Sequence, residues 1–357
     1  MKKELTKFLD ALYDDPLNGT ADDADLRRIE TVSPSLNWAL SGGIVPGRFY
    51  VLTGPEGSGK SMFTMSCVAA LMKDNPEGVA IWFDAERSYT NHWEKVFFKG
   101  DDYKMIENKQ LIVRRTQTAD EIFDYFTSTV MDMVDNGLKI NACVVDSIQQ
   151  IIGPKEEGNE SVTKATMSDL ASFLPVAMRR IAEDSRAHKI PWFFVAQVRD
   201  NFAVSGQKYV SREDKYAMTG GHAFKHCIDV TLLLEGAKGK KNALFDAFAK
   251  NITDDQVKVG HLIRGMVLKN RLGPCFRRCA FMFEYANGVV HAENELAQLA
   301  LMLGIVKVEG RSYMLGEDKI AVGSAPYVQV VIDNEVIRNR ILDEVRKTYA
   351  EGENETP

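Results

Sequence analysis

A chain of 357 residues is long for one compact core and predicts a main domain with a smaller appendage. Its hydrophobic fraction of 45% and charged fraction of 26% are those of an ordinary globular protein, and no apolar run approaches the length of a membrane span. A formal net charge of −6 excludes a protein that grips nucleic acid with its whole surface, so any such contact must be local.

The N-terminus, Met1-Lys2-Lys3-Glu4, interleaves charged and apolar residues instead of presenting a leader's apolar block, and a cytoplasmic location is expected. Leu5, Phe8, Leu9 and Leu12 fall at i, i+3, i+4 and i+7 and predict a short amphipathic helix. Its apolar stripe needs a partner, either its own domain or a neighbouring subunit. Residues 14–25 carry Pro16, Gly19 and several aspartates and read as a linker, so that 1–30 form a helix and linker with a role in subunit contact.

From 31 to 290, short apolar strands alternate with amphipathic helices, the pattern of a largely parallel sheet covered on both faces. Strands are expected near 49–52, 79–83, 110–114, 142–145, 192–196 and 230–234. Beyond 256, segments 265–269 and 278–285 flank a turn at Gly273-Pro274 and suggest antiparallel additions at one sheet edge. Residues 291–349, with a helix at 296–303, a hairpin at 311–320 and a helix at 334–349, form a small α+β domain. The tail 350–357 is acidic, lacks core-forming residues and is expected to be disordered. Five cysteines fit a reducing compartment. Cys67 and Cys143 lie in segments expected to be buried, and the pair Cys275 and Cys279 has no second Cys or His pair at zinc-ligand spacing.

The chemistry concentrates where apolar runs end. Directly after the strand at 49–52 comes Gly54-Pro55-Glu56-Gly57-Ser58-Gly59-Lys60-Ser61, a phosphate-binding loop. Glycines let successive N–H groups turn inward around the phosphates, Lys60 adds a point charge, and the Ser61 hydroxyl can hold magnesium. A helix over 62–72 would aim its N-terminal dipole at the same anion. The apolar run 142–145 closes on Asp146, a Walker B pattern whose carboxylate supports the metal. The run 80–83 closes on Asp84-Ala85-Glu86, where Glu86 can serve as base for the attacking water or as half of a surface ion pair. The run 192–196 ends in Gln197, either a sensor of the γ-phosphate or a simple strand-end amide.

This combination resembles the RecA family of ATP-dependent DNA strand-exchange proteins, including phage recombinases of the UvsX kind. The likeness spans most of residues 29–345. It is carried by Ile29-Glu30-Thr31-Val32-Ser33, Ser35-Leu36-Asn37-Trp38-Ala39-Leu40, Gly42-Gly43, Pro46-Gly47-Arg48, Asp84-Ala85-Glu86, Val144-Val145-Asp146-Ser147 and Thr219-Gly220-Gly221-His222-Ala223-Phe224-Lys225. The resemblance implies a RecA-like P-loop NTPase core, ATP and Mg2+ as cofactors, Glu86 as catalytic base and Gln197 as nucleotide sensor. It also implies Trp93 against adenine, and Lys225, Lys269 and Arg271 as cations supplied to a neighbour's nucleotide. Two polar loops, about 153–164 and 198–219, would face DNA, with Arg179 and Arg199 near phosphates, Phe202 wedged between or stacked on bases, and Gly220 and Gly221 bringing amides close.

The implied partners are single-stranded DNA, homologous duplex, further copies of the chain in a helical filament, and single-strand-binding and loading proteins. There are departures from bacterial RecA: a longer second loop, Ser172 in place of an arginine and Ala196 in place of an asparagine. With the short acidic tail, these point toward a phage-type protein acting in a bacterial cell. A hexameric helicase motor and an ATP-gated recombination mediator remain the alternatives on the same core.

Overall fold

The computed structural model describes residues 26–154, 168–200, 216–218, 221–236, 243–245 and 258–349. The expected N-terminal helix, the acidic tail, Phe202, Gly220 and most of both candidate DNA loops lie outside these residues.

The core runs α1 (Pro34–Ala39), β1 (Phe49–Gly54), α2 (Lys60–Asp74), β2 (Val79–Asp84), α3 (Asn91–Phe97), α4 (Tyr103–Glu107), β3 (Leu111–Arg114) and α5 (Ala119–Tyr125). A π-helical turn at Phe126–Val130 leads into α6 (Met131–Asp135), followed by β4 (Ile140–Asp146), α7 (Ser168–Ala187), β5 (Trp192–Asp200), β6 (Tyr216–Met218), α8 (Gly221–Cys227) and β7 (Val230–Gly236). Next come β8 (Ala243–Phe245), β9 (Lys258–Asn270), β10 (Arg278–Glu284) and β11 (Gly288–Val290). The order across the main sheet is β11-β10-β9-β7-β1-β5-β4-β2-β3, parallel from β7 to β3 and antiparallel from β7 outward to β11.

Strand residues alternate between two cores. Tyr50, Leu52, Ala80, Trp82, Val144 and Phe193 enter one with Phe63, Val68 and Leu71 of α2. Phe49, Val51, Ile81, Phe83, Val145 and Trp192 enter the other with Leu174, Met178 and Ile181 of α7. Because both faces are covered, β1, β2 and β4 are buried at every residue, which is why they read as unbroken apolar runs.

Residues 292–349 build a second unit on a three-stranded antiparallel sheet: α9 (Ala292–Met302), β12 (Val306–Glu309), β13 (Ser312–Leu315), β14 (Asp318–Val322), α10 (Ser324–Asp333) and α11 (Glu335–Lys347). It has its own core around Leu296, Tyr313, Tyr327 and Ile341. The unit is pinned to the main body by Glu295, whose Oε1 accepts from the Ser33 hydroxyl at 2.5 Å and the Ser35 N–H at 2.6 Å, at the N-terminal end of α1. Burial pushes this carboxyl up to about 7, against those hydrogen bonds.

Two differences from the sequence expectation stand out. The stretch 198–219 was expected as loop throughout, whereas its ends form a two-stranded antiparallel ribbon, with Val198 opposite Met218 and Asp200 opposite Tyr216. The small unit also contains β12 and α10, neither of which was expected.

Candidate active site

The carboxyl ends of the parallel strands converge. Gly54 at the end of β1 lies opposite Gln197 of β5, Asp146 of β4 lies opposite Val195, and Asp84 of β2 lies opposite Asp146. In an open parallel sheet this edge is where ligands bind. Gly54 is required for packing, because a Cβ there would collide with the Leu234 carbonyl oxygen and the Ser58 hydroxyl. Gly59 has φ 83° as it caps α2, in the left-handed region that glycine enters without strain.

Lys60 is buried, and its Nζ donates to the carbonyl oxygens of Gly54 at 3.0 Å and Pro55 at 2.8 Å, folding the side chain over the loop it serves. Burial lowers its pKa, while Asp146, Glu86 and Glu56 pull it back up. Three carboxylates therefore lie within electrostatic reach of one ammonium.

Asp146 is fully buried, and neither carboxylate oxygen has a hydrogen-bond partner among the described residues. Burial pushes its pKa up to about 7; the Ser61 hydroxyl pulls down, and Glu86 and Asp84 push up. An unsatisfied buried carboxylate beside a hydroxyl is a costly arrangement for a folded chain alone. It suits a hard cation with oxygen ligands, so Asp146 and Ser61 fit magnesium.

The end of β2 is stapled to that of β4: the Ala85 and Glu86 N–H groups donate to the Asp146 carbonyl at 2.8 and 3.1 Å. Asp84, also buried, accepts from the Ser88 and Tyr89 N–H groups at 3.0 and 3.2 Å and so holds the turn that carries Glu86. The Glu86 side chain is exposed, toward solvent at the mouth of the site. On the other side of the row, Gln197 is half-buried, and its carbonyl oxygen accepts from Gln149 Nε2 at 2.7 Å.

The remaining candidates lie elsewhere. Trp93 is half-buried and packs edge-on against Trp82 and Tyr89, with ring centroids 5.9 and 5.3 Å away, at the margin of the core on the α2 face. Lys225, Lys269 and Arg271 gather around the C-terminal end of α8. Lys269 Nζ donates to the carbonyls of Lys225 and Ile228, both at 2.6 Å, and Arg271 Nη2 donates to that of His226 at 2.7 Å. Arg271 also faces Asp229 at 3.7 Å, and Asp229 accepts from the Phe49 N–H at 3.0 Å. Burial, then Arg271, lowers the Lys269 pKa.

This cluster is at the wrong end of the sheet to serve its own loop. Lys269 aligns with Thr231 and Thr231 with Val51, three strand residues, or about 10 Å, before Gly54. Arg179 is exposed on α7. Arg199 lies on β5 and Gly221 opens α8.

The family model for the RecA N-terminal domain matches residues 16–290. The chain belongs to the RecA family. Over 325 residues it is 27% identical to Protein RecA of Leptospira meyeri, covering 90% of this chain and 75% of that one. Over 324 residues it is 26% identical to Protein RecA of Chlorobaculum parvum, covering 90% and 84%. Over 320 residues it is 27% identical to Protein RecA of Chloroherpeton thalassium, covering 89% and 80%. RecA-family proteins are ATP- and DNA-binding proteins of recombination and repair, with magnesium in general use.

Within this RecA-family site, sequence reasoning missed the supporting residues. Beside Glu86 the sequence assigns Asp84 no role, and nothing in it marks Gln149. Asp84 precedes a turn, and an Asp accepting backbone N–H groups there is a signal that could have been used. Gln149 acts from a side chain to a backbone carbonyl 48 positions away, and no spacing announces that. Among the described residues no helix is long and apolar enough to cross a membrane.

Proposed function

We propose that the protein is an ATP-dependent recombinase that polymerises on single-stranded DNA in the cytoplasm of a bacterial cell and pairs that strand with homologous duplex. The observation that carries this reading is the separation of two half-sites. The phosphate loop, Asp146 and Glu86 share the carboxyl edge of the sheet, while Lys225, Lys269 and Arg271 occupy the amino edge and cannot reach their own loop.

In the proposed cycle, the loop amides from Gly54 to Ser61 and Lys60 bind the triphosphate, with Lys60 exchanging its two carbonyl partners for phosphate oxygens. Ser61 and Asp146 would hold magnesium, which when bound offsets charge on the phosphates. Glu86 orients the attacking water and takes its proton. Lys269 and Arg271 of an adjacent copy neutralise charge that develops on the phosphates, so turnover requires assembly. Gln197 sits opposite the loop's first glycine and reports nucleotide state into the strand that leads to the second DNA loop. Arg179, Arg199, Phe202, Gly220 and Gly221 contact DNA through phosphate and stacking, which makes binding insensitive to sequence and sensitive to salt.

Electron microscopy of the protein with ATP and single-stranded DNA tests the reading. Helical filaments are the expected result. Closed rings would instead favour a helicase motor, and isolated monomers would defeat the trans arrangement.

A further inference from the structure

The bond between Gln149 and Gln197 joins two parts of the site that the sheet itself leaves unconnected. β4 leaves the ladder at Asp146, paired with Val195, while β5 continues past Gln197 to Asp200. A β5 carbonyl beyond that point on the β4 side has no strand to pair with. Gln149 lies on the single turn Ile148–Gln150, three residues after Asp146, and its Nε2 supplies the Gln197 carbonyl with its missing donor at 2.7 Å. The turn continues into Ile152, which is bridged to Thr118, and then into Gly153 and Pro154 at the entry to the first candidate loop.

The other half of the same amide is unusual. Gln149 Oε1 is buried with no hydrogen-bond partner among the described residues. A side chain needed only to fill this space would be apolar, since a buried unpaired oxygen costs stability. What the amide adds over an apolar chain of the same size is the single N–H donor directed at Gln197.

Resting on the RecA-type cycle proposed above, we infer that Gln149 is a positioning residue that couples nucleotide state at Gln197 to the turn carrying the first DNA loop. Movement of the β5 end toward or away from a γ-phosphate shifts the Gln197 carbonyl. The Gln149 amide follows it and draws residues 148–150 with it, while Asp146, held by the Ala85 and Glu86 N–H groups, stays in place. Both DNA loops thereby respond to one phosphate.

The test compares Gln149→Met, which keeps length and volume but has no donor, with Gln150→Met on the exposed side of the same turn. Fluorescence anisotropy of a labelled oligothymidylate at fixed salt gives the ratio of DNA affinity with a nonhydrolysable ATP analogue to that with ADP. In Gln149→Met this ratio is expected to fall about three- to tenfold, the span of one hydrogen bond, with analogue affinity within about twofold of wild type. Gln150→Met should leave the ratio unchanged. Gln149→Leu provides a second non-donating side chain should the methionine variant lose its cooperative melt. An unchanged ratio in a folded variant, or equal losses of DNA affinity in both nucleotide states, would overturn the coupling role alone. A wild-type protein with no nucleotide-dependent DNA affinity would overturn the recombinase reading and this inference together.

Discussion

Replacing Asp146 by Asn should make the nucleotide-free protein more stable while destroying the proposed magnesium site. In the folded chain this carboxyl is fully buried, and burial raises its pKa from 3.8 to about 7 against the pull of the Ser61 hydroxyl and Lys60. A difference of that size corresponds to at most about 4 kcal/mol of destabilisation once the group is ionised. The sign follows from proton linkage: between these two values the folded state holds more protons than the unfolded state, so stability falls as pH rises from about 4 through 7. Glu295, raised from 4.5 to about 7, acts in the same direction and is retained in the variant, so the two proteins differ by the Asp146 contribution. The Asn amide is itself unpaired, which reduces the expected gain at pH 8 to about 2 kcal/mol, or roughly 4–8 °C in melting temperature. Near pH 5 the difference should nearly vanish. Thermal melts from pH 5 to 8 in chelator, repeated with ATP and magnesium, measure this directly. With ligand the order should reverse, because only the wild type gains binding energy from the metal. Parallel melting profiles for the two proteins across that pH range would refute the account of Asp146 as an ionisable group waiting for a cation.

Lys60→Ala should weaken ATP binding at least about a hundredfold, since the charge-assisted bonds to phosphate are lost; titration with a fluorescent ATP analogue measures it, and wild-type affinity would defeat the site assignment. Glu86→Gln should bind nucleotide within about twofold of wild type yet hydrolyse it about 10²–10⁴ times more slowly, with filaments that persist longer after ATP addition. Wild-type turnover in that variant would remove Glu86 from the role of base.

The strands were legible because β1, β2, β4 and β5 are covered on both faces and so carry continuous apolar sequence bounded by polar ends. The phosphate loop was legible because its chemistry is local: glycines, a lysine and a serine within eight positions. β12 gives little strand signal because only Val306 of its four residues is buried, and α10 gives little helical signal because only Tyr327 and Val331 of its ten residues are buried. The ribbon at Val198 and Met218 pairs short segments across a long connection, and no period marks it. The placement of Lys269 at the end of the sheet away from the phosphate loop depends on the antiparallel register of β9 against β7, which only the fold supplies. Likewise the bond from Gln149 pairs a side chain with a main-chain carbonyl, leaving no mark in composition or periodicity.

The two edges of the central sheet are chemically unlike, one bearing acids and a glycine-rich turn, the other bearing lysine and arginine. Any association that brings the second edge of one copy onto the first edge of the next joins dissimilar patches, so it cannot be related by a two-fold axis. Such a chain of copies has polarity: one terminus exposes vacant phosphate loops, the other exposes unused cations. Growth and loss need not proceed at equal rates at those termini, and a copy damaged on a single edge would act as a cap at one of them while still docking normally at the other.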